Sequence, residues 1–229
     1  MQAKILCYHK VGFCSEEGRR LNIEPSRLSS HVRFFSRNNY KISRISDLIQ
    51  PWQDKLVCFT FDDAYLSTMT HAPEIFEAVG ARATFYAVPG RVGMTSDWDG
   101  ELASPLADWD LLRAAQNRGH EIGNHTMNHV HLDQVSETEQ AIEIKSAHDR
   151  LTAEGIQSKS FCYPYGGHTP RTLEITRKAG YEVGVILGKR IASDTDVKQG
   201  LPRIVVAYSD TLPMLLYKLL IKPKLKRSR

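Results

Sequence analysis

Hydrophobic positions alternate along the chain between two periods. Short β-rich runs at 5–8, 55–61, 83–88, 121–124, 160–163 and 181–187 predict strands. Between them, amphipathic stretches at 25–38, 66–79, 108–118, 136–154 and 170–179 predict helices. Val79-Gly80, Arg118-Gly119, Glu154-Gly155 and Ala179-Gly180 each place a glycine where a helix stops before the next strand. Repeated helix-glycine-strand units predict parallel strands with crossover helices, in a closed or nearly closed (β/α) barrel. A length of 229 residues suits one such barrel around one core, hence a single domain over 1–210. Residues 211–229 then form an apolar helix with a basic tail. The segment 91–108, rich in Gly, Ser and Asp, predicts a long loop over the strand ends that shapes a substrate groove.

In a (β/α) barrel, catalysis sits where strands end and loops begin. The chemically distinctive residues all fall at such ends: His9 after the first strand, Asp62-Asp63 after the second major one, His125 after 121–124, and Tyr163-Pro164-Tyr165 after the fifth. Two adjacent carboxylates and two imidazoles four residues apart supply a general base and three ligands for one metal ion. Asp63, His125 and His129 are the ligand set, with both rings on one face if 125–129 is helical. The bland reading makes Asp62 a helix cap and the histidines surface groups. Against it, acids ending an apolar strand are costly to desolvate unless a cation or hydrogen bonds compensate.

Charge narrows the partners. The formal net of +4 comes from the end of the chain, where residues 218–229 hold six basic groups and no acid. The body has 24 basic against 26 acidic residues, a net of −2, which does not suit a nucleic-acid binder. The apolar run 212–221 is half the length that spans a bilayer. With the basic run behind it, it predicts either a helix docked on the barrel or peripheral contact with an anionic membrane face. The opening residues contain no long apolar stretch with a cleavage site, so a cytoplasmic protein without a signal peptide is expected. Cys7, Cys14, Cys58 and Cys162 lie far apart with no CxxC pair, which predicts free thiols.

Thr60-Phe61-Asp62-Asp63, Ala83-Thr84-Phe85-Tyr86, Gly119-His120-Glu121-Ile122-Gly123-Asn124-His125-Thr126-Met127-Asn128-His129 and Phe161-Cys162-Tyr163-Pro164-Tyr165-Gly166 resemble, in order, the successive motifs of the polysaccharide deacetylases, the NodB-homology carbohydrate esterases. The resemblance implies a distorted (β/α)7-type barrel that removes acetyl groups from N-acetylated sugars with a divalent metal, zinc first, with cobalt, nickel or manganese as alternatives. It implies Asp62 as general base, Asp63, His125 and His129 as ligands, and Pro164-Tyr165 at the substrate, with the Tyr165 backbone N–H facing the oxyanion.

Two departures stand out. Many members carry an Arg two residues before the Pro, where this chain has Cys162, so Arg203 in Leu201-Pro202-Arg203-Ile204 is the candidate to hold Asp62 bidentately. No late Leu-x-x-His motif supplies a general acid. Cys7-Tyr8-His9-Lys10-Val11 instead resembles the early element of the permuted poly-N-acetylglucosamine deacetylase branch, which implies His9 as the acid. His168 is the alternative acid and His131 a spare ligand, while His31, His71 and His148 in polar helical stretches receive no role. Trp98, between Asp97 and Asp99, is expected to be exposed and to stack on sugar rings, whereas Trp109 is expected in the core. The reading is a sugar N-deacetylase of cell-envelope or exopolysaccharide synthesis acting on a saccharide, lipid-linked if the membrane reading holds. Its rivals are a deformylase on a lipid-linked amino sugar and a silent saccharide-binding module.

Overall fold

The structure, a computed structural model, describes residues 1–221. The basic run of residues 222–229 therefore lies outside the described residues. The strands are β1 (Gln2–Tyr8), β2 (Lys10–Val11), β3 (Asn22–Ile23), β4 (Lys41–Ser43), β5 (Leu56–Phe61), β6 (Thr84–Ala87), β7 (Glu121–Asn124), β8 (Ser160–Cys162), β9 (Val183–Gly188), β10 (Ala192–Ser193) and β11 (Leu201–Val205). The helices are α1 (Cys14–Glu17), α2 (Pro25–Arg37), α3 (Leu66–Glu77), α4 (Trp109–Asn117), α5 (Glu137–Ala153), α6 (Pro170–Lys178) and α7 (Leu212–Leu216). The six strands and five helices expected from periodicity are present, most of them a residue or two shorter.

Seven strands close into an all-parallel ring in the order β1-β11-β9-β8-β7-β6-β5. The seam is β5 against β1, paired from Ala3↔Leu56 to Tyr8↔Phe61. Short β4 pairs with the first half of β5, and β10 lies antiparallel on the start of β1. The period-two alternation of each strand sorts its side chains between two clusters. Leu6, Tyr8, Val57, Phe59, Phe61, Phe85 and Ile122 belong to the outer core, packed with residues of α2, α3 and α4. Ala3, Ile5, Leu56, Cys58, Tyr86, Cys162, Val183, Val185 and Leu201 fill the barrel, closed at one end by Ile45, Leu48 and Trp52.

The interior is lined mostly by small residues, and that leaves room for two large polar-tipped ones, Tyr86 and Arg203, both fully buried. Gly123 is required by this packing, because a Cβ there would sit 2.3 Å from the Tyr86 ring. At the closed end, Glu121 accepts from the Thr84 hydroxyl at 2.9 Å and the Ser46 amide at 3.0 Å.

Residues 91–108 form a long loop, organised by short 3₁₀ turns at Pro89–Arg91 and Asp97–Leu102 and by bridges Thr95↔Pro105 and Tyr65↔Leu106. Tyr65 and Ser96 both donate to Asp99, at 2.6 and 2.8 Å. His31 is wholly buried, with its Nδ1 3.1 Å from the Tyr8 hydroxyl. Among the described residues no helix is long and apolar enough to cross a membrane. The apolar run 212–221 forms α7 and a following π turn, with Leu215 and Leu219 seated in the outer core.

Candidate active site

Three loops at the C-terminal ends of β5, β7 and β8 meet over the barrel mouth, and each turns through backbone that side-chain-bearing residues rarely adopt. Asp63 and Ala64 have φ of 70° and 51°, Thr126 and His129 of 65° and 58°, and Tyr165 of 58°. Such conformations persist where surrounding contacts impose them, and they gather at functional sites. Non-glycine residues in this region give no sequence signal, so the clustering was not foreseeable.

The segment 125–129 is a loop, so the helical condition for both rings sharing one face is not met, and its two imidazoles meet because of the loop. Asn124 fixes the loop's start, accepting from the Thr126 amide at 2.8 Å and donating to Ile144 O and Tyr181 Oη. Glu143 of α5 fixes the rest, accepting from the Asn128 amide at 2.8 Å and the Asn128 side chain at 2.7 Å. Gly90 presses from the other side, donating its N–H to Met127 O at 2.9 Å. A Cβ on Gly90 would lie 2.4 Å from that oxygen. Sequence reasoning missed Glu143, a buried acid on the inward face of an amphipathic helix.

Asp63 Oδ1 lies 3.2 Å from His129 Nε2 and 3.5 Å from His125 Nε2, and all three side chains are buried. His125 Nδ1 is 2.8 Å from Cys162 O, which can only accept, so Nδ1 carries the proton and Nε2 keeps a lone pair facing Asp63. His129 Nδ1 is 3.1 Å from Tyr165 Oη. Burial lowers His125 to about 4, outweighing Asp62 and Asp63, so its ring is neutral at physiological pH. Burial pushes the Asp63 carboxyl up, but the adjoining His129 and the other histidines around it hold it below its ordinary value. Asp63 Oδ1 has no hydrogen-bond partner despite its burial. An anionic oxygen and two imidazole nitrogens converging on one point, with an orphaned acceptor among them, fit a divalent cation.

Beside this set, Asp62 takes a different partner. Arg203 Nη1 and Nη2 donate to Asp62 Oδ1 and Oδ2 at 2.6 and 2.7 Å, a bidentate pair with both side chains buried. Burial raises Asp62, and the charge and hydrogen bonds of Arg203 more than reverse it, keeping the carboxyl well below the usual range. Asp62 does not cap a helix: the residue preceding α3 is Tyr65, with no side-chain cap. Two further groups could also gather around a cation, Cys7-His9-Asp62 and Asp62-His125-Cys162. Both share Asp62, whose oxygens already face a guanidinium, so the Asp63-His125-His129 set is the better cation site on charge.

His9 Nε2 stands 4.0 Å from Asp62 Oδ2, with the His9 side chain partly open to solvent. His168 turns Nδ1 toward Gly166 O at 2.8 Å and packs on Tyr163, in the cluster between the barrel, α5 and α6. His131 stacks flat on the Tyr165 ring at 3.7 Å and belongs to none of the ligand groupings. Trp98 is only half exposed; its indole stacks on His129 at 4.1 Å, so it walls the site rather than standing free as a platform. Trp109 packs against the outer core, as expected. Pro164 is buried, and Tyr165 is 46% exposed at the mouth. All four cysteines are free thiols.

A family model described as "Polysaccharide deacetylase" matches residues 50–184, more than half of the chain. The Bacillus subtilis protein YxkH is 24% identical over 212 residues, covering 89% of this chain and 71% of that protein. Among solved structures, the Streptococcus pyogenes deacetylase PplD, in complex with acetate, superposes with a TM-score of 0.81 at 23% identity, covering 96% of this chain and 98% of that one. IcaB from Ammonifex degensii gives a TM-score of 0.77 at 23% identity, over 93% and 95% of the two chains.

Proposed function

This chain belongs to the polysaccharide deacetylase family, and from that premise we propose that it is a metal-dependent hydrolase removing N-acetyl groups from an N-acetylated saccharide. The observation that carries this reading is the orphaned Asp63 Oδ1 between two imidazole nitrogens, next to a guanidinium-held carboxylate. Asp63, His125 and His129 would hold the cation. Bound there, a divalent ion supplies Lewis acidity for both the attacking water and the acetamide carbonyl.

The chain's own residues do the rest. Asp62, kept anionic and immobile by Arg203, takes a proton from the attacking water. The Tyr165 backbone N–H donates to the developing oxyanion. His9, across from Asp62, gives a proton to the departing amine, leaving acetate and a free amino sugar. Trp98 and Tyr165 wall the entrance with rings suited to a pyranose face. His9 and Arg203 lie outside the matched stretch of 50–184, so their roles rest on position alone.

Chelator-stripped protein is tested for acetate release from N-acetylglucosamine oligomers before and after adding zinc, cobalt, nickel or manganese. Metal-dependent acetate release supports the reading, and formate release from N-formylated sugars selects the deformylase rival. Saccharide binding without either product makes the chain a silent binding module.

The exposed Met214, Tyr217, Leu220 and Ile221 favour one addition, contact of this edge with an anionic membrane surface, where a lipid-linked saccharide of envelope synthesis would be met. Flotation with anionic liposomes, with and without residues 218–229, tests it; equal behaviour of the two proteins rejects it.

A further inference from the structure

Around the Asp62–Arg203 pair the barrel places two thiols. Cys7 Sγ, from β1, lies 3.4 Å from Asp62 Oδ2, and Cys162 Sγ, from β8, lies 3.5 Å from Asp62 Oδ1. Both cysteines are fully buried. Arg203 Nη2 lies 3.1 Å from the Cys162 sulfur while donating to Asp62 Oδ2, and Nη1 is shared between Thr60 Oγ1 at 2.9 Å and Asp62 Oδ1. The carboxylate is thus gripped along both oxygens by the guanidinium and flanked by one sulfur per oxygen.

We propose that Cys7 and Cys162 are positioning residues for Asp62, each donating its S–H to one carboxylate oxygen and so fixing the plane of the base. The proposal rests on Asp62 acting as the base. Three observations support it beyond proximity.

Asp62 accepts only: a carboxylate that ends a strand at the open end of a barrel needs donors on every side that water does not reach. Both thiols are wholly enclosed beside an anion, where the neutral S–H is favoured over a second negative charge and has a proton to donate. The third is chemical. A thiol is a weak donor with a large, polarisable sulfur, so it fills the space beside the guanidinium while drawing only lightly on the carboxylate lone pairs. Arg203 supplies the strong bonds, and the sulfurs keep the pair from rotating and keep water from entering between its members. Cys162 also gives its carbonyl to His125 Nδ1, so one residue of β8 touches the base through its side chain and a metal-ligand candidate through its backbone.

Two measurements test this. The first is the infrared S–H stretch, read in resting protein and assigned by difference against Cys7→Ser and Cys162→Ser. The bands of Cys7 and Cys162 are expected at lower frequency than that of Cys58, whose sulfur meets only a carbonyl at 3.8 Å, and Asp62→Asn should shift both upward. Bands that ignore Asp62→Asn overturn the hydrogen bonds. This reading needs no turnover, so it stands or falls separately from the deacetylase reading.

The second is steady-state kinetics of the metal-loaded enzyme. Cys7→Ala/Cys162→Ala should lower kcat by roughly tenfold to a hundredfold through a misplaced base, with KM and metal affinity unchanged. Cys162→Ser, which keeps a donor, should recover most of the loss. A kcat within twofold of wild type in the double variant, or a serine variant as impaired as alanine, rejects positioning in favour of packing alone. If the double variant does not fold, the single serine and alanine variants carry the same comparison.

Discussion

Replacing Arg203 by Met tests the electrostatic centre of the site most directly. Arg203 is the largest fully buried side chain, and its guanidinium neutralises an equally buried Asp62. Methionine approximates its stem but leaves a carboxylate with only thiols, the neutral His125 and the partly exposed His9 around it. Removing one member of a buried ion pair typically costs about 3–5 kcal/mol, because the other charge stays desolvated. That is a large share of the roughly 5–15 kcal/mol by which a domain is stable.

The sign of the pH dependence makes the test specific. In the wild type, Asp62 has a lower pKa folded than unfolded. Its contribution is complete above the unfolded value, about 4, and is lost as pH falls toward the folded one. In Arg203→Met, burial without a counter-charge places the folded pKa above the unfolded one, so the variant is penalised at neutral pH and relieved once the carboxyl takes up a proton. Urea unfolding of chelator-stripped protein should therefore show a gap of about 3–5 kcal/mol at neutral pH that narrows in acid. Adding Asp62→Asn to Arg203→Met should recover much of it. A neutral-pH gap below about 1 kcal/mol, or one that does not change with pH, would refute the reasoning.

Four further outcomes are expected. Asp63→Asn should abolish the stabilisation that a divalent cation gives the wild type, about 2.7 kcal/mol at a hundredfold excess over Kd, read as a loss of the metal-induced Tm shift. His9→Ala should cut kcat by roughly a hundredfold or more while circular dichroism is unchanged; near-normal turnover would move the acid role elsewhere. Glu143→Ala should weaken metal affinity by roughly tenfold to a hundredfold, as loss of a group orienting the ligand loop does, measured by competition with a chromogenic chelator. His31 is lowered by burial to about 4, so the unfolded chain binds a proton there that the folded chain does not. Stability should therefore rise with pH between about 4 and the unfolded value near 6.5, by roughly 1.4 kcal/mol per pH unit at most. His31→Gln should remove that part of the slope, and unfolding curves across this range check it.

The barrel was legible in sequence because its helices are amphipathic and close on glycines, and because β5 and β6 are dense in aromatic and β-branched residues. β4 was missed, since Lys41–Ser43 carries too few apolar residues to show a period. β11 was legible as a late strand at Leu201-Pro202-Arg203-Ile204, although Pro202 within it usually argues against a strand with neighbours on both sides. The Asp-Asp pair and the two histidines were visible as chemistry, and their convergence was anticipated, with the local backbone that joins them left open. What joins them is left-handed backbone at Asp63, Thr126 and His129, imposed by tertiary contacts such as Glu143 and Gly90 rather than by local preference. The contacts of Cys7 and Cys162 with Asp62 were invisible because they depend on which strands neighbour one another across the barrel. Trp98 was misjudged for a similar reason: its acidic neighbours suggested open solvent, while the fold lays its ring on His129.

The place of β11 in the ring has a consequence for how the molecule is born. It inserts between β1 and β9, so two strands far apart in the sequence are adjacent, and the cylinder stays open until residues 201–205 leave the ribosome. Arg203 travels on that closing stave. From the time residue 62 is made until residue 203 follows, the nascent chain holds Asp62 without its cationic mate, and the act that seals the wall also delivers it. A polypeptide cut short before residue 203 would lack both closure and counterion, which couples chemical competence to completion of the fold.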